Sequence, residues 1–362
     1  MNRMWKIALA LAVLALALGL AACGEKSEPS TDTTSSTKTS GKSEPANVQT
    51  EPFSLTLDFY PNADHAGIYM AKKLGYFKEA GLDVSIHTPT DPSTPIKEVA
   101  AGRTDLAISY EPEILLAVSH GLAVAPVAAI VDRPLTSMIW LKKSGIKGIG
   151  DLRGKTIATA GIPYQDAFLK TILARAHLSP SDVKTVNVGY GLLPAIASGK
   201  ADAMLGGFSN VEGVDLRLRG MDPVVTPVDK LGVPTYNELV LVGNVERLEA
   251  DSEPVRLFLA ALSRGTQAAI EDPDAATLAL LEANSDLDPK LTRAEVAATL
   301  PLLSTTGQEY KSAPGEKQPY GYMETPQWAR FIRWMLANEL IPSLVATSLL
   351  RIDGYLPGQI PQ

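Results

Sequence analysis

Short apolar segments with the two-residue period of strands alternate with helix-like segments from Phe53 onward. The predicted strands cover residues 55–59, 82–86, 105–109, 125–131, 156–160, 183–188, 203–205 and 238–242. Strands that are separated by helices predict parallel or mixed sheets with helices on both faces. Helix patterns at residues 254–271, 275–284, 293–302 and 326–338 follow the last strand. The chain is therefore predicted to be an α/β protein with a helical C-terminal portion.

A short sequence pattern occurs twice in the chain. Ala101-Gly-Arg-Thr-Asp-Leu-Ala107 is matched by Ser198-Gly-Lys-Ala-Asp-Ala-Met204. In both, a helix pattern ends at a glycine, a basic residue and an aspartate follow, and a small apolar strand begins. Glycine provides the left-handed conformation that ends a helix. Because the order of strands and helices around the two copies also matches, we expect one βαβ unit of this kind in each of two lobes.

The first strand and the helix after it are joined by a turn that is rich in aromatic and polar side chains. Pro61 ends the strand because it has no N–H for the sheet, and Asn62 or Asp64 caps a helix that begins near His65. Ligands of α/β proteins bind at the carboxyl ends of strands, next to helix N-termini. The turn therefore predicts a small-molecule site. The alternative is an ordinary turn with a capping Asn and a surface His.

The N-terminal residues predict a targeting segment and a tether. Arg3 and Lys6 precede an apolar run that is too short for a comfortable membrane span, and Leu20-Ala-Ala-Cys23 follows like a bacterial lipobox. Residues 1–23 are thus expected to be a lipoprotein signal peptide with Cys23 as the lipidated residue; a plain secretory signal is the alternative. Residues 24–50, rich in Ser, Thr, Lys, Glu and Pro, are expected to be a disordered tether.

The net charge and the residue types of the sequence argue against other classes of function. The net charge of -7 and the absence of a basic cluster argue against nucleic-acid binding. Cys23 is the lone cysteine, and the four histidines show no metal-type spacing. The sequence contains neither a nucleophile elbow nor a phosphate loop. We therefore expect no catalytic residue, no metal and no cofactor.

Segments spread along the chain resemble the substrate-binding proteins of ABC importers. They are His65 to Val84, Ala101 to Asp105 and Ile149 to Thr156. Asp58 to Asn62 and Gly232 to Val240 look like the NMT1/THI5-like branch, which is related to thiamine-pyrimidine synthases. The resemblance implies a type II periplasmic-binding-protein-like fold, with two mixed sheets flanked by helices and a ligand cleft between two lobes. Residues 51–138 and 242–362 would form lobe 1, and residues 139–241 would form lobe 2.

Aromatic, amide and carboxylate side chains at the predicted strand ends are the candidate ligand contacts. Aromatic rings can stack on a pyrimidine, and a carboxylate can accept a strong hydrogen bond from its exocyclic amine. This branch usually has Trp at the position of Phe59, so a smaller ring is expected to stack there. Interlobe packing is the alternative for each tyrosine, and a helix-start carboxylate is the alternative for Glu212. The expected ligand-binding residues are Phe59, Tyr60, Asn62, His65, Tyr110, Glu111, Tyr164, Tyr190, Asn210, Glu212 and Tyr236.

The resemblance implies an extracytoplasmic solute-binding lipoprotein that holds a thiamine pyrimidine precursor, such as a hydroxymethyl- or formylaminomethyl-pyrimidine. Its expected partners are the ligand and the ABC permease and ATPase subunits, with contact to the membrane through the lipid anchor only. We expect a monomer. A binding protein for riboflavin, sulfonate or nitrate is the alternative. A pyrimidine synthase is the enzyme hypothesis, but the synthases carry a cysteine-rich motif for iron that is absent from this sequence.

Overall fold

The computed structural model describes residues 49–305, 317–350, 352 and 354–356. The predicted signal peptide at residues 1–23, its Cys23, and the tether up to residue 48 lie outside the described residues. Within the described part of the chain, no helix combines the length and the apolar character needed to cross a membrane.

Ten strands form two mixed sheets of five strands each, which confirms the predicted α/β class. The first sheet has the order β2-β1-β3-β10-β4, and the second has the order β7-β6-β8-β5-β9. The strands are β1 Glu51–Thr56, β2 Leu82–His87, β3 Leu106–Ser109, β4 Val124–Val131, β5 Thr136–Leu141, β6 Thr156–Thr159, β7 Lys184–Asn187, β8 Ala203–Phe208, β9 Pro223–Pro227 and β10 Leu239–Asn244.

Helices flank both sheets and fill the C-terminal part of the described chain, as predicted. The α-helices are α1 Ala66–Lys73, α2 Tyr76–Glu79, α3 Pro95–Ala100, α4 Glu111–Ser119, α5 Gln165–Ala174, α6 Leu192–Ala197, α7 Glu212–Leu218, α8 Val245–Ala250, α9 Glu253–Glu271, α10 Pro273–Ala283, α11 Pro289–Thr299, α12 Thr325–Ala337 and α13 Thr347–Leu350. Short 3-10 turns cover Ala63–His65, Lys142–Ser144, Ile149–Leu152, Pro180–Asp182, Gly189–Gly191, Val228–Leu231 and Leu300–Leu302.

The two sheets share one topology. In each sheet, three neighbouring strands are parallel, and the fourth strand beside them is antiparallel. The chain forms this fourth strand directly after it has crossed from the other sheet. This strand is β10 in the first sheet and β5 in the second, and each lies between two strands of its own sheet. The chain changes sheet at residues 132–135 and 228–238. Both passages lie a few residues before the predicted lobe boundaries at 138–139 and 241–242, and the division into lobes stays a prediction.

The repeated sequence pattern occupies the same place in both sheets. Gly102 and Gly199, with φ of 67° and 76°, end the helices before β3 and β8. The aspartates of the pattern then fix the neighbouring parallel strand, β1 in the first sheet and β6 in the second. Asp105 accepts hydrogen bonds from the N–H and hydroxyl of Ser54 on β1, at 2.7 and 2.6 Å. Asp202 accepts from the N–H of Thr156 on β6 at 2.9 Å. The predicted repeat is therefore confirmed.

Close packing of α1 against α9 fixes the helix that follows the candidate ligand turn. A Cβ at Gly265 would lie 2.4 Å from the carbonyl oxygen of Gly67, and a Cβ at Gly67 would lie 2.3 Å from the hydroxyl of Thr266. Only glycine fits at either position. The first helix ends before Gly75, which has a φ of 77°.

One buried carboxylate joins the two passages between the sheets. Glu238 is fully buried, and its Oε2 accepts from the N–H groups of Leu135 and Thr136, both at 2.7 Å. Its Oε1 accepts from the Thr136 hydroxyl at 2.8 Å, and the Tyr236 hydroxyl donates to Oε2 at 3.0 Å. Burial raises the pKa of Glu238 to about 7, and these donors counteract the rise. We call this group of residues the crossover clasp.

Replacing Thr136 with valine tests the crossover clasp. The variant keeps the side-chain shape but removes one donor to a buried carboxylate, so at pH 8 the free energy of unfolding should fall by about 1.5–3 kcal/mol. At pH 5 Glu238 is protonated, and the loss should shrink to about 1 kcal/mol. Urea denaturation at both pH values measures the effect.

Thr277→Val is the matched control, because the hydroxyl of this buried threonine donates to the carbonyl of Pro273 in its own helix at 2.8 Å. Its effect should be small and independent of pH. An equal loss in both variants, or a Thr136→Val loss that does not change with pH, would contradict the role of the carboxylate.

Candidate functional site

The turn after β1 is organised by Asp58. This residue is almost fully buried, and its two oxygens accept different donors: Nε2 of His65 at 2.9 Å and the hydroxyl of Tyr110 at 2.9 Å. The Nδ1 atom of His65 accepts from the N–H of Asn62 at 3.2 Å. A backbone N–H can only donate, so Nε2 carries the ring proton and donates to Asp58. Asp58 thus ties the turn to the carboxyl end of β3.

Asn62 caps the turn as the sequence predicts. Its Oδ1 accepts from the N–H of Asp64 at 2.9 Å at the start of the 3-10 turn Ala63–His65. Its Nδ2 donates to the carbonyl of Tyr60 at 3.2 Å. The amide therefore fixes the local backbone and still faces the cavity described below.

The second sheet contributes Glu212 and Gln165. Glu212 begins α7, and its Oε2 accepts from the N–H of Phe208 at 2.7 Å. Burial raises the pKa of Glu212 to about 7, and this hydrogen bond counteracts the rise. Gln165 begins α5, and its Oε1 accepts from the N–H of Ala160 at 3.0 Å. Both side chains lie at helix N-termini that follow carboxyl ends of strands, where ligands of α/β proteins bind.

These groups line a cavity between the carboxyl ends of the two sheets. About 440 Å³ of space free of atoms lies between the lining residues, and part of this space is open to solvent. No Lys or Arg belongs to the lining that the described residues provide. The lining residues are Asp58, Phe59, Asn62, Tyr110, Thr136, Ala160, Ile162, Tyr164, Gln165, Leu192, Gly206, Phe208, Val211 and Glu212.

An aromatic cluster lies beside the cavity at Phe59. The ring of Tyr190, from the second-sheet side, meets Phe59 edge-on at 4.5 Å, and Tyr60 lies 4.5 Å from Phe59 on the other side. The Tyr190 hydroxyl donates to the carbonyl of Pro89 at 2.9 Å. This contact joins the loop after β7 to the loop after β2. Tyr190 therefore connects the two sides of the cavity.

A second bridge between the two sides involves Asn210. Its Nδ2 donates to Oδ1 of Asp64 and to the hydroxyl of Thr299, both at 2.7 Å. Oδ2 of Asp64 and Oδ1 of Asn210 are buried and have no hydrogen-bond partner among the described residues. Burial raises the pKa of Asp64 to about 7, while the bond from Asn210 acts against the rise.

The structure brings some predicted ligand contacts together and gives others internal partners. Lining the cavity are Phe59, Asn62, Tyr110, Tyr164 and Glu212. Outside the lining are Tyr60, His65, Glu111, Tyr190, Asn210 and Tyr236. Both ring nitrogens of His65 are bonded within the turn, so a bond from His65 to a ligand would have to replace one of these hydrogen bonds. Glu111 accepts from the N–H of Asn237 at 2.7 Å, and Tyr236 belongs to the crossover clasp.

Sequence reasoning missed Asp58, Thr136, Gln165 and Gly206 as parts of the cavity lining. Asp58 and Gln165 had a detectable signal, because Asp58 lies next to the end of the predicted strand 55–59 and Gln165 lies in the segment that follows the predicted strand 156–160. Thr136 had no such signal, since no strand was predicted in its segment. Gly206 carries no side chain that a search for chemistry could find.

Known proteins resemble this chain over most of its length. A family model described as NMT1/THI5 like matches residues 62–276. The formylaminopyrimidine-binding protein of Halalkalibacterium halodurans is 36% identical, with 80% of this chain and 86% of that protein covered. A putative thiamine biosynthesis protein of Haemophilus influenzae is 32% identical, with 82% and 90% covered.

Two further comparisons concern an enzyme and the fold. The 4-amino-5-hydroxymethyl-2-methylpyrimidine phosphate synthase THI5 of Saccharomyces cerevisiae is 29% identical, with 62% of this chain and 69% of that protein covered. The alkanesulfonate-binding protein of Xanthomonas axonopodis pv. citri superimposes with a TM-score of 0.62 at 18% identity, with 82% of this chain and 96% of that protein covered. The fold is therefore that of periplasmic binding proteins, as expected from the sequence.

The buried carboxyl group of Glu295, on α11, should make the stability of the protein depend on pH. Burial, and then the nearby carboxylates of Glu212, Asp64 and Asp215, raise the pKa of Glu295 to about 9. An unfolded Glu titrates near 4.3, so the folded state holds an extra proton between the two values. Stability is then greatest at the acidic end of this window and falls as the pH rises through it.

Glu295→Gln should consequently increase the free energy of unfolding at pH 8, by about 1–3 kcal/mol, and leave it nearly unchanged at pH 5. Urea denaturation at pH 5, 6, 7 and 8 measures this difference. Glu246→Gln, at an exposed position on α8, is the control and should change neither value. A Glu295→Gln variant that is less stable than wild type at pH 8 would contradict the prediction.

Proposed function

The chain belongs to the NMT1/THI5-like family, and we propose that it is the solute-binding protein of an ABC importer for a thiamine pyrimidine precursor. The ligand would be a formylaminomethyl- or hydroxymethyl-aminopyrimidine, bound in the cavity between the sheets and delivered to a permease. The relative named as a formylaminopyrimidine-binding protein supports this ligand class.

The lining of the cavity carries the proposal. It combines aromatic rings with the acceptors Asp58 and Glu212, and its described residues include no cation. A flat ring gains about 1–3 kcal/mol from each aromatic partner on which it stacks. A carboxylate forms a strong, charge-assisted hydrogen bond with an exocyclic amine. A neutral, amine-bearing heterocycle therefore matches the lining in shape and in hydrogen-bonding pattern.

The same lining disfavours the anionic ligands of the alternative reading. A sulfonate or nitrate would meet the carboxylate of Glu212 without a Lys or Arg from the lining residues to balance the charge. The structural likeness to an alkanesulfonate-binding protein, at 18% identity, concerns the fold only. Riboflavin remains the alternative that stacking alone would allow.

Binding rather than catalysis is the activity we propose. The relatives with 36% and 32% identity are named as a binding protein and a biosynthesis protein, whereas the synthases are less similar. The synthases' cysteine-rich motif has no counterpart here, because Cys23 is the lone cysteine of the sequence. The polar groups of the cavity are those that orient a ligand.

We further propose that the mature protein is a monomer outside the cytoplasmic membrane, held there by lipid on Cys23. The apolar run that precedes Leu20-Ala-Ala-Cys23 supports the anchor. Two acyl chains give stable anchoring, whereas one gives only marginal membrane binding. The tether at residues 24–50 would let the folded part reach the permease.

Calorimetric titration with 4-amino-5-hydroxymethyl-2-methylpyrimidine and its formylaminomethyl counterpart tests the ligand class. At pH 8, above the pKa of Glu212, binding should be micromolar or tighter. Glu212→Gln should weaken it by about 1–3 kcal/mol, the cost of a lost charge-assisted bond. Glu246→Gln on exposed α8 should bind like wild type. Tight binding of taurine or nitrate without any response to pyrimidines would refute the proposal.

Expression of Cys23→Ser in a bacterial host tests the anchor. The variant should lose lipid modification and appear in the soluble extracytoplasmic fraction, because the thioether-linked lipid has no attachment site. Mass spectrometry of the mature N-terminus and membrane fractionation provide the two measurements. Unchanged processing and membrane retention would rule out the lipoprotein assignment and leave the ligand proposal intact.

A further inference from the structure

Gln165 has a fixed orientation in the cavity wall. The residue is 2% exposed, and its Oε1 accepts from the backbone N–H of Ala160 at 3.0 Å. A backbone N–H needs an acceptor, so the amide oxygen must be the atom that faces Ala160. The NH2 group therefore points away from Ala160. The amide is held at one end and presents donors at the other.

The NH2 group of Gln165 lies against Gly206. A Cβ at position 206 would lie 2.4 Å from Nε2 of Gln165, and Gly206 has a φ of 112°. A side chain at 206 is thus excluded both by the amide and by the backbone conformation. Both residues line the cavity. The hydrogen bonds of the described residues engage Oε1 of Gln165, and none of them engages Nε2.

The neighbouring polar groups in the lining are acceptors. Glu212 follows the same strand, and its Oε2 takes the N–H of Phe208, two residues after Gly206. Asp58, on the other side of the cavity, accepts from His65 and Tyr110. A ligand amine can be bound by a carboxylate, but a ring nitrogen with a lone pair needs a donor. Gln165 supplies a donor at this wall.

We propose that Gln165 is a specificity-determining residue whose NH2 group, seated on Gly206, donates to an unprotonated ring nitrogen of the ligand. The inference rests on the proposed function and deepens it, since it adds a donor to the acceptor that Glu212 provides. Together the two side chains recognise a heterocycle that has both an amine and a ring nitrogen. A benzene ring of the same shape lacks the ring nitrogen, and a pyridine of the same shape keeps only one of the two ring nitrogens of a pyrimidine.

Two variants separate recognition from support of the loop. Gln165→Glu keeps an oxygen for Ala160 and replaces the donor by an acceptor. Gln165→Met has a similar shape but neither group. At pH 8 both should bind 4-amino-5-hydroxymethyl-2-methylpyrimidine roughly 10- to 100-fold more weakly than wild type. The melting temperature of Gln165→Glu should stay close to that of wild type.

Two pyridine analogues, each with one ring nitrogen replaced by C–H, identify the atom that is recognised. Wild type should lose roughly 10- to 100-fold in affinity for one of them. Gln165→Met should bind that pyridine and the parent pyrimidine equally. Relative to wild type at the same pH, the affinity of Gln165→Glu should recover as the pH falls, because a protonated carboxyl group can donate. Gly206→Ala should weaken binding without adding to the effect of Gln165→Met.

Other results overturn the inference. If Gln165 only supports the loop at Ala160, then Gln165→Glu binds like wild type, and Gln165→Met loses the pyrimidine and both pyridines to the same degree. If wild type binds pyrimidines but both pyridines bind equally well, no ring nitrogen is recognised. If wild type binds no pyrimidine, the proposed function fails first, and the wild-type titration alone shows this.

Discussion

The position of the cavity depends on the carboxylate of Glu238. The chain passes twice between the sheets, and Glu238 in the second passage accepts hydrogen bonds from Leu135 and Thr136 in the first. Thr136 also lines the cavity. The interaction that holds the passages together is therefore in contact with the ligand space. The two covalent connections between the sheets meet at this buried group.

Internal hydrogen bonds, and not residue type alone, decide which polar groups face the cavity. His65, Glu111 and Asn210 are the residue types that a pyrimidine site needs, yet each is bonded to protein groups. Glu212 differs because only one of its carboxylate oxygens, Oε2, accepts the hydrogen bond from the N–H of Phe208. The result is a small set of acceptors, together with the amides of Gln165 and Asn62, around a space lined in part by aromatic rings. This division keeps the site rigid while leaving selected atoms for a ligand.

The sequence was sufficient to predict the class of fold and most of its elements. The strand periodicity and the repeated pattern before β3 and β8 are local signals, and the structure confirms them. The site was predicted only in part. Partners such as Asn237 for Glu111 and Thr299 for Asn210 lie far away in the chain, so the sequence shows the polar group but not whether it is already satisfied. The strand β5 was taken for a passage because its sheet neighbours, β8 and β9, follow it by more than sixty residues.

The position of β10 between β3 and β4 sets the order in which the two sheets can be completed. Strand β10 lies between β3 and β4, so the first sheet stays in two separate pieces until residues 239–244 have been synthesised. The second sheet uses only residues 136–227, which emerge earlier. The sheet that begins later along the chain can therefore be completed first. Until then β3 keeps an open edge and β4 has no partner strand in its sheet, and unpaired edges invite pairing with other chains. A chain that stops between residues 227 and 239 would contain one finished sheet, while β3 and β4 of the other sheet would lack the strand that joins them.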